Sequence, residues 1–345
     1  MECKKMIEQL TYIETDNTHP YKNLAVEEYL LLHCRENECI LYLWQNQNTI
    51  VVGKNQNTLA EIDPNFVKEC LVSRLEEDNG HIVRRLSGGG AVYHDLGNLN
   101  FTFLVRKENY DVSKQLDVIL KAVQKLGIAA EKSGRNDILA DGRKFSGNAF
   151  YEKGDHCYHH GTLMVNVNME DLSKYLTVSK EKLESKGVDS VRSRVVNLSE
   201  YVPELSIDLL KEKLREAFGE VYGLPVNTCE TEDLNEKEIK ERTIHFASWD
   251  WIFGKKLDFQ YELSHRFSWG EVVLQMKVKD GRIEEANVYS DAMKPDLILA
   301  VKKYLRNIRY ERNAICAELG LYWSEDREEE QMMKEIIAWI RTVDL

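Results

Sequence analysis

Three consecutive glycines, Gly88–Gly90, constrain the fold of this chain more than any other local feature. Glycine loses more backbone entropy on folding than other residues, so a run of three indicates that something must approach the main chain closely. Extended sequence on both sides predicts a loop between two strands. Arg84 and Arg85 precede the run and are expected to add positive charge. Main-chain N–H groups here can surround an anion, although a flexible turn beside two surface arginines is the alternative.

This loop matches neither of the standard nucleotide-binding signatures. A P-loop requires Gly-Lys-Ser or Gly-Lys-Thr after its glycines, and neither follows here. A dinucleotide-binding GxGxxG motif that began at Gly88 would need glycine at the position of Tyr93. Any nucleotide bound by this loop is therefore expected in another structural context.

A second turn signal lies in the middle of the chain. Asp141 and Gly142 separate two extended runs, residues 137–140 and 143–150, and both turn residues tolerate positive φ. The pattern predicts a β-hairpin, with residues 158–167 as one more strand. Side chains on such a hairpin are held on a rigid support.

Lys144 is on the return strand of this hairpin. Side chains alternate along a strand, which predicts that Lys144, Ser146 and Asn148 share one face, while Gly147 leaves room for a close approach. A lysine on a rigid strand can neutralise a carboxylate and a phosphate that come together, and it can stabilise charge in a transition state. An exposed hairpin lysine in solvent is the alternative.

Four other polar residues near the hairpin are weaker candidates. Asp137 can orient an amine or help to hold Mg²⁺, or it can simply be a turn or capping residue. His159 and His160 are adjacent on a predicted strand and face opposite ways, which argues against a shared metal. One of the two, with His160 as the candidate, can line a pocket, and a packed or exposed histidine is the alternative. Cys157 is a possible nucleophile, but nothing in the sequence indicates that its thiol is activated.

Apolar periodicity predicts the remaining elements of the first part of the chain. Val26, Tyr29 and Leu30 fall at helical spacing, and Asn23 is expected to cap this helix. Two apolar runs predict strands that pair with each other, Ile40–Trp44 and Thr49–Gly53. The other predicted elements are a short helix over Pro64–Leu71, strands over Ile82–Arg85 and Leu99–Val105, and a helix over Lys114–Leu126 that Gly127 ends.

Strands precede helices in the C-terminal part of the chain. Two apolar stripes at helical spacing follow the strands, Leu297 to Ile308 and Met332 to Ile340. This order predicts a small α+β domain over residues 256–345, after a larger first domain over residues 1–255. The predicted strands are His265–Trp269, Val272–Val278 and Ile283–Tyr289, with a hairpin turn at Asp280-Gly281.

Charge and cysteine usage exclude several classes of protein. The 345 residues include 46 Lys and Arg against 58 Asp and Glu, a net charge of −12, which disfavours broad nucleic-acid binding. No run of about 18 apolar residues predicts a membrane span, and the first ten residues lack the apolar run of a signal peptide. The seven scattered cysteines show no CxxC spacing, so a reducing cytoplasm is expected.

Several separate segments, in the same order along nearly the whole chain, resemble the lipoate–protein ligase family of the two-domain bacterial type. One such segment alone can arise by chance, whereas a series in the right order does not. The matching segments are residues 23–28, 84–95, 133–137, 143–147, 159–163, 186–195 and 266–270.

The resemblance implies a mixed sheet flanked by helices, related to biotin–protein ligases, and a small C-terminal accessory domain. It implies ATP-dependent activation of lipoate to lipoyl-AMP and transfer of the lipoyl group to a lysine of a carrier domain. The family's essential lysine falls on Lys144, which would contact both nucleotide and lipoate. The positions that would bind the adenylate are Arg85, Gly90, Ala91, Val92 and Tyr93, with Gly89, Asp137 and His160 as further candidates.

Substrates and partners follow from the same resemblance. It implies ATP, Mg²⁺ and lipoate, and carrier domains of 2-oxoacid dehydrogenase complexes and of the glycine cleavage H protein. Neither nucleic acid nor membrane is expected. Trp44, Val52 and Val92 are candidates for an apolar slot around the dithiolane tail. Leu86 and Phe145 depart from the family pattern and are expected to alter the acyl pocket.

Three alternatives stay open at this point. An acyltransferase of the same superfamily would move an octanoyl group without ATP and would need a cysteine nucleophile, for which Cys157 is the candidate near the motifs. A non-catalytic lipoate- or biotin-sensing protein would not need Lys144. Biotin ligation is disfavoured by the unbroken Ser-Gly-Gly-Gly run. A basic face for an acidic carrier can come from Lys302, Lys303, Arg306 and Arg309, or from Arg192 and Arg194, although a solvated helix face is the alternative.

Overall fold

The chain forms two compact units in the computed structural model. The first unit comprises Met1–Val51, Leu59–Arg84 and Ala91–Ile252, and the second comprises Val52–Thr58, Arg85–Gly90 and Phe253–Leu345. The glycine loop, defined here as residues 85–90, therefore belongs to the second unit. The domain boundary between residues 255 and 256 stays a prediction. The structure describes residues 7–62, 80–134, 137–175, 195–254 and 257–343.

Two earlier predictions lie outside those residues, namely the helix over 64–71 and the basic pair Arg192 and Arg194.

The described strands are β1 (Gln9–Glu14), β2 (Glu38–Trp44), β3 (Thr49–Val52), β4 (His81–Arg84), β5 (Val92–His94), β6 (Asn98–Arg106), β7 (Ala130–Ser133), β8 (Asp137–Ala140), β9 (Arg143–Lys153), β10 (His156–Met164), β11 (Val226–Thr228), β12 (Tyr261–Phe267), β13 (Gly270–Lys279) and β14 (Arg282–Ser290).

Helices account for most of the other described elements. They are α1 (Pro20–His33), α2 (Thr58–Glu61), α3 (Val112–Lys125), α4 (Met169–Tyr175), α5 (Ile207–Tyr222), α6 (Glu236–Phe246), α7 (Trp249–Ile252), α8 (Pro295–Tyr304), α9 (Arg312–Leu319) and α10 (Arg327–Thr342). Within the described ranges, none of these helices is long and apolar enough to cross a membrane.

A mixed eight-stranded sheet is the centre of the first unit, in the order β11-β1-β2-β6-β10-β9-β8-β7. Strand β1 runs parallel to β2 and β11, and the other neighbours are antiparallel. Strand β3 instead lies between β4 and β5 in a separate sheet. The predicted pairing of Ile40–Trp44 with Thr49–Gly53 is therefore wrong. The link between them leaves the first sheet through Asn48, whose φ is 38°.

Helices cover both faces of this sheet, which confirms the predicted fold class. The large apolar side chains of β6, such as Phe101 and Phe103, face a core shared with α3 and α5. Between them, Thr102 contacts Glu27 of α1, which packs on β2, β6 and β10. Because side chains alternate along β6, this strand packs against helices on both faces of the sheet.

Helix α1 begins earlier than predicted, because Pro20 occupies its first turn and His19 precedes it. Asn23 is not the cap but lies inside the helix, nearly fully buried. Its Nδ2 donates to the carbonyl oxygens of Asn17 and Gln45, at 3.0 and 2.8 Å. The side chain therefore ties the start of α1 to the end of β2, a contact that helical spacing does not encode.

The second unit contains the antiparallel sheet β12-β13-β14 and three helices, α8, α9 and α10. Asp280 and Gly281 form the turn before β14 with φ values of 51° and 72°, as predicted. Both predicted apolar stripes pack on this sheet in one core, which includes Leu297 and Ile336. The expectation of a small α+β fold in this part of the chain is confirmed.

Candidate active site

The hairpin that carries Lys144 forms as predicted. Asp141 and Gly142 take φ values of 47° and 73° at its turn. A β-bulge interrupts the pairing, since Leu139 faces Lys144 while Ile138 faces Ser146. Between these two pairs, β9 therefore contains one residue more than β8, and Phe145 is that additional residue.

The bulge changes which residues share a face with Lys144. A Cβ atom built on Gly147 would lie 3.0 Å from both Cε and Nζ of Lys144, so the lysine occupies the space that this glycine leaves. Asn148 points the other way, because its Oδ1 lies 2.8 Å from His159 Nε2. The prediction that Lys144, Ser146 and Asn148 share one face is therefore wrong. Gly147 makes room for the lysine itself.

Asp137 is the partner of this amine. It faces Gly147 across the hairpin, and its Oδ1 lies 2.6 Å from Lys144 Nζ. Both side chains are 35% exposed, although the Oδ1 atom of Asp137 is itself buried. Thr162 of β10 lies beside it and accepts a hydrogen bond from the N–H of Gly147 at 3.3 Å. A cation, an anion and a hydroxyl thus meet above one glycine.

The two histidines of β10 have different surroundings, as the alternation predicted. His159 packs among Phe101, Phe103 and Phe150. Burial lowers the pKa of His159 to about 3, so this ring is neutral at ordinary pH. His160 faces α1 instead. The described residues hold no group of three His, Cys, Asp or Glu that could bind a metal.

A buried polar network surrounds His160. Its Nδ1 lies 2.8 Å from Oε1 of Glu27, and the same oxygen accepts a hydrogen bond of 2.7 Å from Thr102 Oγ1. Trp44 Nε1 in turn donates to Thr102 Oγ1 at 3.3 Å. The network fixes the indole at the end of β2. The sequence analysis did not single out Glu27, although a carboxylate among the apolar positions of α1 was a usable signal.

Cys157 and Phe145 are packed in the apolar core of the first unit. Both are fully buried, and Phe145 belongs to the core of the first unit, which argues against a role in shaping an acyl pocket. Burial raises the pKa of the Cys157 thiol to about 12. Because the thiolate is the nucleophile, this cysteine is poorly suited to covalent catalysis.

The glycine loop joins β4 to β5, as predicted, but Arg85 does not extend from it into solvent. Arg85 is 6% exposed. Its Nη2 donates to the carbonyl oxygens of Gly88 and Gly90 at 2.7 and 2.8 Å, and its Nε donates to Ser87 Oγ at 3.0 Å. The guanidinium therefore holds the loop in shape.

Arg84 does not add its charge to the loop, contrary to expectation. It is buried, and its Nε and Nη2 donate to the carbonyl oxygens of Trp251 and Ile252 at 2.6–2.8 Å. It fixes α7 against β4 in the first unit. Residues of a strand alternate, so neighbouring arginines do not share surroundings.

The three glycines have different roles. A Cβ atom on Gly88 would lie 2.3 Å from the carbonyl oxygen of Ala292, so close packing excludes any side chain there. Gly89 has a φ of 90°, and its N–H donates to the same oxygen at 3.1 Å. Gly90 is exposed, and a Cβ atom on it would meet nothing within 4 Å. Only Gly90 leaves its side-chain position open to a ligand.

The residues after the loop return to the first unit. Ala91 and Val92 are partly exposed, and Val92 begins β5. Tyr93 is buried, and its hydroxyl donates to Oδ1 of Asn48 at 3.2 Å. Its buried side chain therefore supports the strand.

Comparison with known proteins shows that the N-terminal and the C-terminal parts of the chain each match a model of the same protein family. Residues 19–219 match the family model described as the lipoyl protein ligase A/B catalytic domain. Residues 256–340 match the model described as the bacterial lipoate protein ligase C-terminus.

Individual relatives agree with the family models. The lipoate-protein ligase A of Psychrobacter cryohalolentis is 36% identical over 340 residues, which cover 96% of this chain and 98% of that protein. The lipoate-bound crystal structure of LipL1 from P. falciparum has a TM-score of 0.81 at 29% identity, over 96% of this chain and 99% of that one. A bipartite ligase from Thermoplasma acidophilum, solved with its E2 lipoyl domain, shows the same fold at 24% identity, with a TM-score of 0.61 over 73% and 99% of the two chains. This chain belongs to the lipoate–protein ligase family.

Proposed function

We propose that this enzyme carries out its ATP-dependent lipoate ligation in two steps that both depend on Lys144. The observation that carries the proposal is the 2.6 Å pair between Lys144 Nζ and Asp137 Oδ1, partly exposed above Gly147. A carboxylate already lies beside the amine, so an anionic substrate group can replace or join it. The arrangement provides charge where two anionic substrates must meet.

In the first step, the lipoate carboxylate attacks the α-phosphorus of ATP and pyrophosphate leaves. The ammonium of Lys144 reduces the repulsion between carboxylate and phosphate and stabilises charge on the phosphoryl oxygens. We assign nucleotide contacts to the main chain of Gly90, Ala91 and Val92 and to Lys144, with Tyr93 supporting the strand. Arg85 contributes by holding the glycine loop through its bonds to the carbonyl oxygens of that loop.

In the second step, the neutral amine of a carrier lysine attacks the acyl carbonyl carbon of lipoyl-AMP, and AMP leaves. Lys144 holds the carbonyl oxygen and the phosphate ester in place. A mixed anhydride hydrolyses in water, so the site must exclude solvent from it. Thr162 is a further polar contact at the same face, since its hydroxyl lies beside the N–H of Gly147.

Mg²⁺ fits this site with the nucleotide as its main source of ligands. The ion commonly keeps waters and takes one or two carboxylates together with substrate phosphates. Asp137 supplies one carboxylate, and the described residues offer no cluster of three ligating side chains. Asp137 would hold the ion, and the ion would supply charge neutralisation on the phosphates.

The lipoyl tail requires an apolar slot, for which Trp44, Val52 and Val92 remain candidates. Trp44 is the best supported of the three, because its indole is buried and fixed through Thr102 and Glu27 beside His160. We assign His160 to this network and not to direct chemistry.

The protein substrates that we propose are the carrier domains of 2-oxoacid dehydrogenase complexes and of the glycine cleavage H protein. The archaeal relative was solved with an E2 lipoyl domain, which supports the first of these. We place the enzyme in the cytoplasm, a proposal supported by the free thiols of the five cysteines assigned in the structure, namely Cys34, Cys39, Cys157, Cys229 and Cys316.

Lipoate-dependent exchange of pyrophosphate into ATP tests the first step without a carrier. We expect exchange in the wild type and a loss of about 10²–10³-fold in Lys144→Ala, the scale for removal of one stabilising donor. Lys153→Ala is the matched control, since Lys153 is an exposed lysine at the end of the same strand. Normal exchange by a folded Lys144→Ala variant would remove this lysine from the mechanism.

A further inference from the structure

Five cations of the second unit form a surface cluster, which we call the basic patch: Arg282, Lys302, Lys303, Arg306 and Arg309. All five are exposed. Among the described residues, none of them has a carboxylate within ion-pair distance, whereas nearby Lys277 pairs with Glu284 at 3.0 Å. Uncompensated like charges repel each other, so their grouping destabilises the free protein and favours an anionic partner.

The fold holds these residues together. Arg282 Nη1 donates to the carbonyl oxygen of Asn307 at 3.0 Å, and the main chains of Arg282 and Arg309 form an antiparallel bridge. Lys302 Nζ donates to Oδ1 of Asn287 on β14 at 2.9 Å. The C-terminal end of α8 and the residues after it therefore lie along β14.

Sequence and surface apolarity add to the charge. No acidic residue occurs between Asp296 and Glu311, so the stretch that carries four of the five cations contains no compensating charge. Leu299 is 43% exposed and lies one helical turn before Lys302 and Lys303. Leu299 thus adds one apolar group beside the cations, whose charges would direct the encounter with a partner.

We propose that the basic patch docks an acidic face of the protein substrate, a lipoyl carrier domain. The proposal rests on the proposed function, which requires such a domain to bind and leave in every turnover. The enzyme carries a net charge of −12, so its overall field repels an acidic partner and only a local patch can attract one. Duplex DNA or an anionic membrane is a less suitable partner, because the chain as a whole is acidic.

Charge reversal in the full-length enzyme tests the patch. The probe is a purified, unmodified lipoyl domain of net negative charge. For Lys302→Glu/Lys303→Glu we expect the KM for this domain to rise about tenfold at low salt, with kcat unchanged and with a weaker salt dependence than in the wild type. Lys334→Glu/Arg341→Glu on α10 reverses two exposed cations of the same unit and is the matched control, with an expected KM close to that of the wild type.

The outcomes separate this inference from the function on which it rests. Equal KM values for both reversal variants and the wild type at low salt would overturn the docking surface, provided that carrier-free exchange of pyrophosphate into ATP stays normal. Absence of that exchange in the wild type would instead overturn the proposed function, and the docking proposal with it. Duplex DNA binding that is lost in Lys302→Glu/Lys303→Glu, together with an unchanged KM, would assign the patch to nucleic acid and contradict the proposal.

Discussion

The lysine hairpin of the first unit and the glycine loop of the second use glycine in opposite ways. In the hairpin, Gly147 removes a side chain so that a charged group, the amine of Lys144, can occupy its place. In the loop, the charged group of Arg85 is buried and bonded to the carbonyl oxygens of Gly88 and Gly90. The hairpin leaves its cation accessible, whereas the loop uses its cation to maintain its own shape.

This contrast separates glycines that permit packing from one that leaves space for a ligand. Gly88 contacts main chain where a Cβ atom cannot fit, and Gly89 has a conformation that other residues rarely adopt. Gly90 has neither constraint. The sequence alone suggests that all three glycines form one anion-binding loop. In the structure, Gly88 and Gly89 have structural roles, and of the three only Gly90 has its side-chain position open.

Among the variants that test this contrast between glycines, Gly90→Val is expected to have the largest effect, which is on ATP affinity. Because the site around its Cβ is open without ligand, the variant should fold with an unchanged melting temperature. If the nucleotide lies against this residue, its affinity should fall at least about 100-fold, or about 3 kcal/mol. Calorimetric titration with ATP measures the affinity. An unchanged Kd would show that the nucleotide does not approach Gly90.

Gly88→Ala is the converse test, on stability. The added methyl would lie 2.3 Å from the Ala292 carbonyl oxygen, so main chain must move. We expect the free energy of unfolding to decrease by about 2 kcal/mol, within the usual cost of overpacking. Gly90→Ala serves as the control and should remain within about 0.5 kcal/mol of the wild type in urea denaturation. Equal stability of the two variants would remove the distinction between the glycines.

Asp137→Asn tests whether the hairpin depends on its ion pair. The substitution keeps the shape of the side chain but removes the charge next to Lys144 Nζ. We expect lipoate-dependent pyrophosphate exchange to decrease about tenfold, less than for Lys144→Ala, because the carboxylate orients the amine. If Asp137 also holds Mg²⁺, the Mg²⁺ concentration for half-maximal exchange should increase. A variant as inactive as Lys144→Ala would assign Asp137 a direct catalytic role.

Cys157→Ala should have the smallest effect. Burial raises the pKa of this thiol to about 12, so below about pH 10 the thiolate is a negligible fraction. Carrier lipoylation should remain within about twofold of the wild type. The folded protein should also react slowly with iodoacetamide at this residue. ATP-independent acyl transfer that disappears in Cys157→Ala would instead support the acyltransferase alternative.

Local sequence was sufficient for the elements that depend on neighbouring residues. The Asp-Gly pair predicted the hairpin because both residues tolerate positive φ, and the extended flanks of Gly88–Gly90 predicted a loop between strands. The order of the motifs predicted the family, since several segments in sequence constrain the match along the chain. The α+β order of the C-terminal part was likewise visible in its apolar pattern.

Tertiary structure decided which partners those residues meet. The bulge at Phe145 moved Lys144 away from the face of Asn148, and Asn23 became a buried link inside α1. Arg85 and Arg84 both bind main-chain carbonyl oxygens, which no charge count predicts. Apolar periodicity in the sequence indicates only which face of a helix or strand a residue occupies. The competing donors and acceptors come from distant strands and helices, so they are determined only when the whole chain has folded.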